Sequence, residues 1–257
     1  RLKDRGITFH EGFEVGRDAT IEALRDRHDS ILIATGVYKA RDIQAPGSGL
    51  PGLVKALDYL TASNKVGFGD TVPAFDDGSL NAAGKHVVVI GGGDTAMDCV
   101  RTAIRQGAAS VKCLYRRDRD NMPGSQREVA NAEEEGVEFV WLAGPKGFDG
   151  TDRIERVHVS KMRLGAPDAS GRRTPEADPD GDFTLPADLV IMALGFEPEE
   201  LPVLFGAPDL AVNRWGTLRV DHKTMMTSMD GVFAAGDIVR GASLVVWAIR
   251  DARDVVE

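Results

Sequence analysis

His86-Val87-Val88-Val89-Ile90-Gly91-Gly92-Gly93-Asp94-Thr95-Ala96 decides the fold. After His86, the four residues Val87 to Ile90 form a β-branched run, which reads as a strand buried on both faces. Three glycines stop it. A helical stretch from Asp94 to Gln106 follows and is closed by Gly107. Gly91 to Ala96 fits the Gly-x-Gly-x-x-Ala dinucleotide fingerprint, and it stands in the context that gives the match weight, after a strand and at a helix start. Gly91 permits the tight turn, Gly93 lets a pyrophosphate approach the backbone, and Ala96 allows close helix–strand packing. Gly92, Asp94 and Thr95 complete the turn and the helix start, whose free N–H groups meet the negative charge. The plainer alternative is a glycine-rich turn with no ligand.

Working outward, Val111 to Tyr115 reads as a second strand, Gln126 to Glu135 as a helix ended by Gly136, and Val137 to Trp141 as a third strand. This alternation predicts an α/β fold with a parallel sheet. The end of the second strand selects the cofactor. An NAD site places an acid there to bond the ribose 2′-OH. This chain has Tyr115-Arg116-Arg117. Arginine forks suit a phosphate, so Arg116 and Arg117 are read as the 2′-phosphate clamp of NADPH. The alternative is a solvated basic patch in which Asp118 and Asp120 pair with them.

The flanks suggest a second, related unit. Ser30 to Ala34 and Leu189 to Leu194 are compact apolar runs ended by Thr35-Gly36 and by Gly195. Gly231 to Ala235 is a further run, followed by Gly236-Asp237, whose carboxylate can accept hydrogen bonds from cofactor hydroxyls. An amphipathic helix is expected from Ala242 to Val255. Ile7 to Phe9 and Phe13 to Val15 read as short β pieces. Thr20 to His28 reads as a turn with a polar surface segment. A helix is expected from Val54 to Ala62, a hairpin arm from Ile154 to Arg163, and a loop from Ala166 to Asp182. The expected division is a partial nucleotide domain over 1–40, a connector over 41–83, the NADPH domain over 84–195 and a return segment over 196–257. Both ends look like cuts in a longer protein.

Composition narrows the class. The 257 residues carry 31 Lys+Arg against 40 Asp+Glu, 42% hydrophobic and 28% charged residues. That balance excludes a disordered or fibrous chain, and the acidic excess argues against a nucleic-acid surface. No apolar run is long enough to span a bilayer, and there is no signal-peptide pattern. Cys99 and Cys113 make neither a disulfide framework nor a cluster or zinc site, and a reducing, cytoplasmic setting is expected. The five His have no metal-ligand spacing. Glu133 to Glu135 reads as a solvated helix face, and Trp141, Trp215 and Trp247 as core.

Together these motifs resemble a known family. Val88 to Asp98, Tyr115-Arg116-Arg117, Asn121-Met122-Pro123-Gly124-Ser125, Glu134 to Val137, Val232 to Asp237 and Gly241 to Ile249 look like the small (β) subunit of NADPH-dependent glutamate synthase. They also look like its close flavoprotein relatives, such as the amino-terminal part of dihydropyrimidine dehydrogenase. The resemblance covers essentially the whole chain. It implies a Rossmann-like NADPH-binding domain nested in the remainder of a related FAD-binding domain. It further implies hydride passage from NADPH to FAD, then electron passage through [4Fe–4S] clusters to a large (α) subunit that makes glutamate from glutamine and 2-oxoglutarate. By the same likeness, Gly36, Gly236, Asp237 and Ser243 belong to the FAD side. Asp237 would bond the ribityl chain, and the helix near Ser243 would point its N-terminus at the flavin ring. The family's cluster cysteines and its first FAD glycine turn have no counterpart between Arg1 and Gly36. The chain as given is therefore expected to hold little or no FAD, and its uncovered sheet edge calls for self-association or for the rest of a longer chain. Two other classes compete. One is an NADPH-binding module of a related pyridine nucleotide-disulfide-type oxidoreductase without intrinsic catalysis. The other is a single-cofactor dehydrogenase, which needs a proton-handling residue that the sequence does not offer.

Overall fold

A computed structural model of the chain describes residues 3–167 and 173–256. In chain order the elements are α1 (Ile21–Arg25), β1 (Ile31–Ile33), β2 (Lys39–Ala40), β3 (Leu53–Lys55), α2 (Ala56–Gly67), α3 (Pro73–Asp76) and β4 (His86–Ile90). Next come α4 (Asp94–Arg105), β5 (Ser110–Tyr115), α5 (Gln126–Glu134), β6 (Glu138–Trp141), β7 (Ala143–Asp149), β8 (Arg156–Pro167) and β9 (Arg173–Ala177). The remainder are β10 (Phe183–Pro186), β11 (Leu189–Met192), β12 (Phe196–Glu197), α6 (Leu201–Leu204), β13 (Val232–Ala234), α7 (Asp237–Arg240) and α8 (Val245–Val256). Two units emerge. One is residues 40–195; the other joins 3–39 to 196–256.

In the 40–195 unit, the β-branched run became the central strand of a five-stranded sheet, ordered β3-β11-β4-β5-β6, with every neighbouring pair parallel. Alternation explains why β4 is apolar from Val87 to Ile90. Val87 and Val89 pack toward Met97, Val100 and Ala103 of α4, whereas Val88 and Ile90 pack toward Phe148, Val157 and Val159 of an antiparallel sheet on the other face. Each such side chain contributes about 1.5–3 kcal/mol by leaving water. The antiparallel sheet is built from β7, β8 and β10, with β9 pairing the outer part of β8. From β4 the chain goes to β5 on one side, and β11 lies on the other. That reversal places a crevice at the carboxyl ends of the strands, where Gly91 begins.

The other unit holds the parallel pair β1 and β13, with Ile31 opposite Val232 and Ile33 opposite Ala234. Ile21, Leu210, Leu218 and Ile238 close its core. Its least expected feature is Asp251, whose 0% exposed side chain is the one buried residue of α8. The carboxylate accepts from Arg240 at 2.7 and 2.5 Å and from the Gly236 N–H at 3.2 Å. The Arg240 hydrogen bond holds it below the usual carboxylate range. Asp251→Ala strands Arg240, which keeps 35% of its side chain exposed. The expected cost is therefore at the low end of the range for a broken buried pair, about 3 kcal/mol. Because the folded-state pKa is depressed, the contribution is complete above the ordinary carboxylate pKa and is lost as pH falls through the folded value. Urea unfolding of both proteins over acidic pH should show the gap closing.

Several expectations are corrected. Ile7–Phe9 and Phe13–Val15 are not strands; Ile7, Phe9 and Phe13 are exposed, and Val15 makes only an isolated bridge to Ala19. Thr20–His28 contains α1, because Thr20 Oγ1 accepts from the Ala23 N–H at 3.1 Å and Ile21 is buried. The stretch 41–83 supplies edge strand β3, so Val54 is strand and the following helix runs from Ala56 to Gly67. The loop at 166–182 is partly strand: Pro167 pairs with Arg173, and Thr184 pairs with His158 just beyond it. Residues 168–172 lie outside the described residues. The last helix starts at Val245 rather than Ala242, after the separate turn α7. Trp215 is 66% exposed under Arg214 and Trp247 is also exposed, so neither is core. Trp141 is half-buried and stacks on Phe139. Glu133 and Glu135 are not simply solvated, since they pair with Arg119 and with Arg101 and Arg105.

Candidate functional site

The three glycines after β4 are there for different reasons. A Cβ on Gly91, at φ +150°, would lie 2.2 Å from the Ala193 carbonyl oxygen. One on Gly92 would lie 2.4 Å from the Tyr115 ring. The protein itself thus excludes side chains at both. A Cβ on Gly93 would meet nothing within 4 Å. Gly93 is the N-cap of α4, extended and without a side-chain cap, and its carbonyl accepts from the Ala96 and Met97 N–H groups at 2.9 and 3.2 Å. Ala96 is fully buried, as close helix packing requires.

The Asn121–Ser125 loop folds back over this turn. The Gly124 N–H donates to the Gly92 carbonyl at 2.9 Å, and the Tyr115 hydroxyl donates to the Asn121 carbonyl at 2.9 Å. The Asp94 carboxylate accepts from the Ser125 N–H at 3.1 Å. Its side chain therefore tethers the loop, and only its backbone N–H belongs to the helix start.

A cleft of about 560 Å³ opens above the turn, lined by Gly91, Gly92, Gly93, Thr95, Arg116 and Arg117 on one side and by Arg41, Met162, Leu194 and Gly195 on others. Arg117 is 8% exposed, and its Nε donates to the Arg173 carbonyl at 3.1 Å. Arg116 is exposed and has no partner among the described residues. The local acids do not pair with either. Asp118 accepts from Asn121, and Arg119 is bound bidentately by Glu133 at 2.9 and 3.0 Å. Sequence reading missed Arg41, which reaches the cleft because its N–H donates to the Gly195 carbonyl at 3.1 Å. No local signal marks it.

The remaining expected site residues lie in the other unit. Gly36 and Gly236 leave the same, carboxyl end of the β1–β13 pair, and the Ala235 N–H donates to the Ile33 carbonyl at 3.1 Å. Gly236 takes φ +77°, and its N–H is occupied by Asp251. Asp237 accepts from both the hydroxyl and the N–H of Ser243, at 2.7 and 3.2 Å. Both bonds use the same carboxylate oxygen, Oδ1.

The profile of the pyridine nucleotide-disulphide oxidoreductase family matches residues 4–252. The chain belongs to that family. It is 69% identical to the glutamate synthase [NADPH] small chain of Azospirillum brasilense over 256 residues, all of this chain and 53% of that protein. Identity to a putative glutamate synthase [NADPH] small chain of Cereibacter sphaeroides is 65%, over all of this chain and 62% of the relative. The chain thus spans about half the length of these curated relatives, and the resemblance seen in its motifs is borne out. Among solved structures, FprA of Mycobacterium tuberculosis in complex with NADPH superposes with a TM-score of 0.76. It is 20% identical, over 94% of this chain and 65% of FprA, a likeness of fold.

The disulphide in the family name has no counterpart in this oxidoreductase chain's thiols. Cys99 and Cys113 are free and buried. Burial pushes the Cys113 thiol up to about 12 and raises that of Cys99 as well. Both stay protonated, so neither is placed for thiolate chemistry. Cys113 instead donates its S–H to the Gly91 carbonyl at 3.4 Å. No helix among the described residues is long and apolar enough to cross a membrane.

Proposed function

We propose that the 40–195 unit binds NADPH, with the pyrophosphate over Gly91–Ala96 and the 2′-phosphate at Arg116 and Arg117. The observation that carries this is the pairing of an open space at Gly93 with a nine-tenths-buried Arg117 that has no acidic partner among the described residues. A buried guanidinium of that kind favours an anion. Bound NADPH would supply a hydride. This chain's own contribution is to bind and orient the dinucleotide at the helix N-terminus and to fix its phosphates.

In a protein of the relatives' length, the proposal extends to hydride acceptance by FAD and electron passage through [4Fe–4S] clusters to a large subunit that forms glutamate. The high identity to proteins named glutamate synthase [NADPH] small chain supports this. On the FAD side, Asp237 engages Ser243 through Oδ1 alone, so its second carboxylate oxygen can still accept from a cofactor hydroxyl. A reducing, cytoplasmic setting is supported by two free, buried thiols.

The test is hydrogen exchange with and without NADPH. Protection is expected at 91–97 and 115–125; protection elsewhere only, or none, contradicts the site.

A further inference from the structure

Arg116 and Arg117 are adjacent in sequence and unlike in structure. Arg116 is exposed and unpartnered among the described residues, so its side chain samples many rotamers. Arg117 is 8% exposed, and among the described residues one hydrogen bond aims its guanidinium, the 3.1 Å bond from Nε to the Arg173 carbonyl. Arg173 opens β9, the outermost strand of the antiparallel arm. Two further backbone bonds tie the same peptide region to the arm's root. The Leu142 N–H donates to the Arg117 carbonyl at 3.0 Å, and the Met162 N–H donates to the Leu142 carbonyl at 2.6 Å. Leu142 takes φ +51°, an αL conformation a leucine rarely adopts, which persists only where the surroundings over-determine it.

We infer that the β8–β9 arm is the element that sets cofactor choice: by holding Arg117 through the Arg173 carbonyl, it pre-positions one fork for a 2′-phosphate, while Arg116 adds attraction without geometry. This rests on the NADPH reading above. The physical reason is preorganisation. A guanidinium already desolvated and fixed loses little freedom when a phosphate arrives, whereas an exposed one must be ordered and is screened by salt. Discrimination between ligands that differ by one phosphate therefore depends on the fixed group.

The arm can be disturbed without touching the cleft. Gly165 lies in β8 facing β9, and a Cβ there would sit 2.6 Å from Glu176 Oε1 and 3.2 Å from the Thr174 carbonyl oxygen. Gly165→Val should push β9 away and with it the Arg173 carbonyl. Gly165→Ala, whose single methyl meets the flexible Glu176 carboxylate first, should do so less.

The experiment is calorimetric titration of adenosine 2′,5′-bisphosphate and of 5′-AMP into wild type, Arg117→Ala, Gly165→Val, Gly165→Ala and the Arg117→Ala/Gly165→Val double variant. For the bisphosphate, Arg117→Ala should weaken binding about 100-fold and Gly165→Val about tenfold, as expected for losing or misaiming a charge-assisted bond. Gly165→Ala should fall between Gly165→Val and wild type. The double variant should match Arg117→Ala alone, because the arm acts only through that side chain. Affinity for 5′-AMP should stay level throughout, which a merely structural role would not preserve. Unchanged bisphosphate affinity in both Gly165 variants overturns the inference, as do losses that multiply in the double variant. Equal affinity of wild type for the two probes instead overturns the NADPH reading beneath it.

Discussion

Gly93→Val should abolish dinucleotide binding and leave the protein folded. The two halves of that expectation come from one observation: a Cβ at Gly93 meets nothing of the protein within 4 Å, at an ordinary φ of −93°. The fold can accept the side chain; the open space it enters is where a pyrophosphate would lie. Loss of a glycine N-cap should cost about 1 kcal/mol of stability. Loss of the cradle removes two or more charge-assisted bonds at about 1.5–3 kcal/mol each, so affinity should fall more than ~100-fold. Gly91 and Gly92 are the contrast. Their added methyls would strike the Ala193 carbonyl and the Tyr115 ring, so Gly91→Ala and Gly92→Ala should lose thermal stability first. A melt and an NADPH titration on the same Gly93→Val sample decide it. A large drop in melting temperature with affinity retained would assign Gly93 to backbone relief.

Arg116→Ala/Arg117→Ala should erase the preference for NADPH over NADH and leave NADH affinity nearly unchanged. Each arginine–phosphate bond is worth about 1.5–3 kcal/mol, or roughly 10–100-fold. The two effects should not simply add, since Arg117 is buried and held and Arg116 is exposed. The neighbouring cation offers no compensation, because Arg119 is bound bidentately by Glu133. Parallel titrations of both cofactors into wild type and variant measure this. A preference that survives the double substitution would move 2′-phosphate recognition to another cation, with Arg41 of the same cleft the first to examine.

The fold was legible where local chemistry and tertiary packing agree. Val87 to Ile90 are β-branched because both faces of β4 are covered, and Gly91, Gly92 and Ala96 are small because the turn and helix crowd one another. Legibility failed where an element is short or is made by distant partners. The five residues of α1 give no helical period, and only the Thr20 cap marks its start. Strand β3 is three residues long and runs straight into α2, so the apolar stretch at 53–62 looks like one helix. Strand β9, Arg-Thr-Pro-Glu-Ala, carries loop residues and is strand only because β8 lies beside it.

The site shows the same boundary. The glycine motif could be read residue by residue, but nothing in Arg116-Arg117 says that one is buried and the other is not. That difference is made by a carbonyl 56 residues away. Asp237 was legible as a carboxylate after a strand and Ser243 as the start of the last helix, yet their mutual hydrogen bond depends on how α7 turns before α8.

The central claim is that the cleft above Gly91–Ala96 takes NADPH and discriminates by its 2′-phosphate. Its most direct measurement is calorimetric titration of NADPH and NADH into the wild-type chain at one fixed salt concentration. The account predicts saturable binding of NADPH at least about tenfold tighter than NADH, in line with one charge-assisted phosphate contact. Equal affinities, or no binding of either, would contradict it.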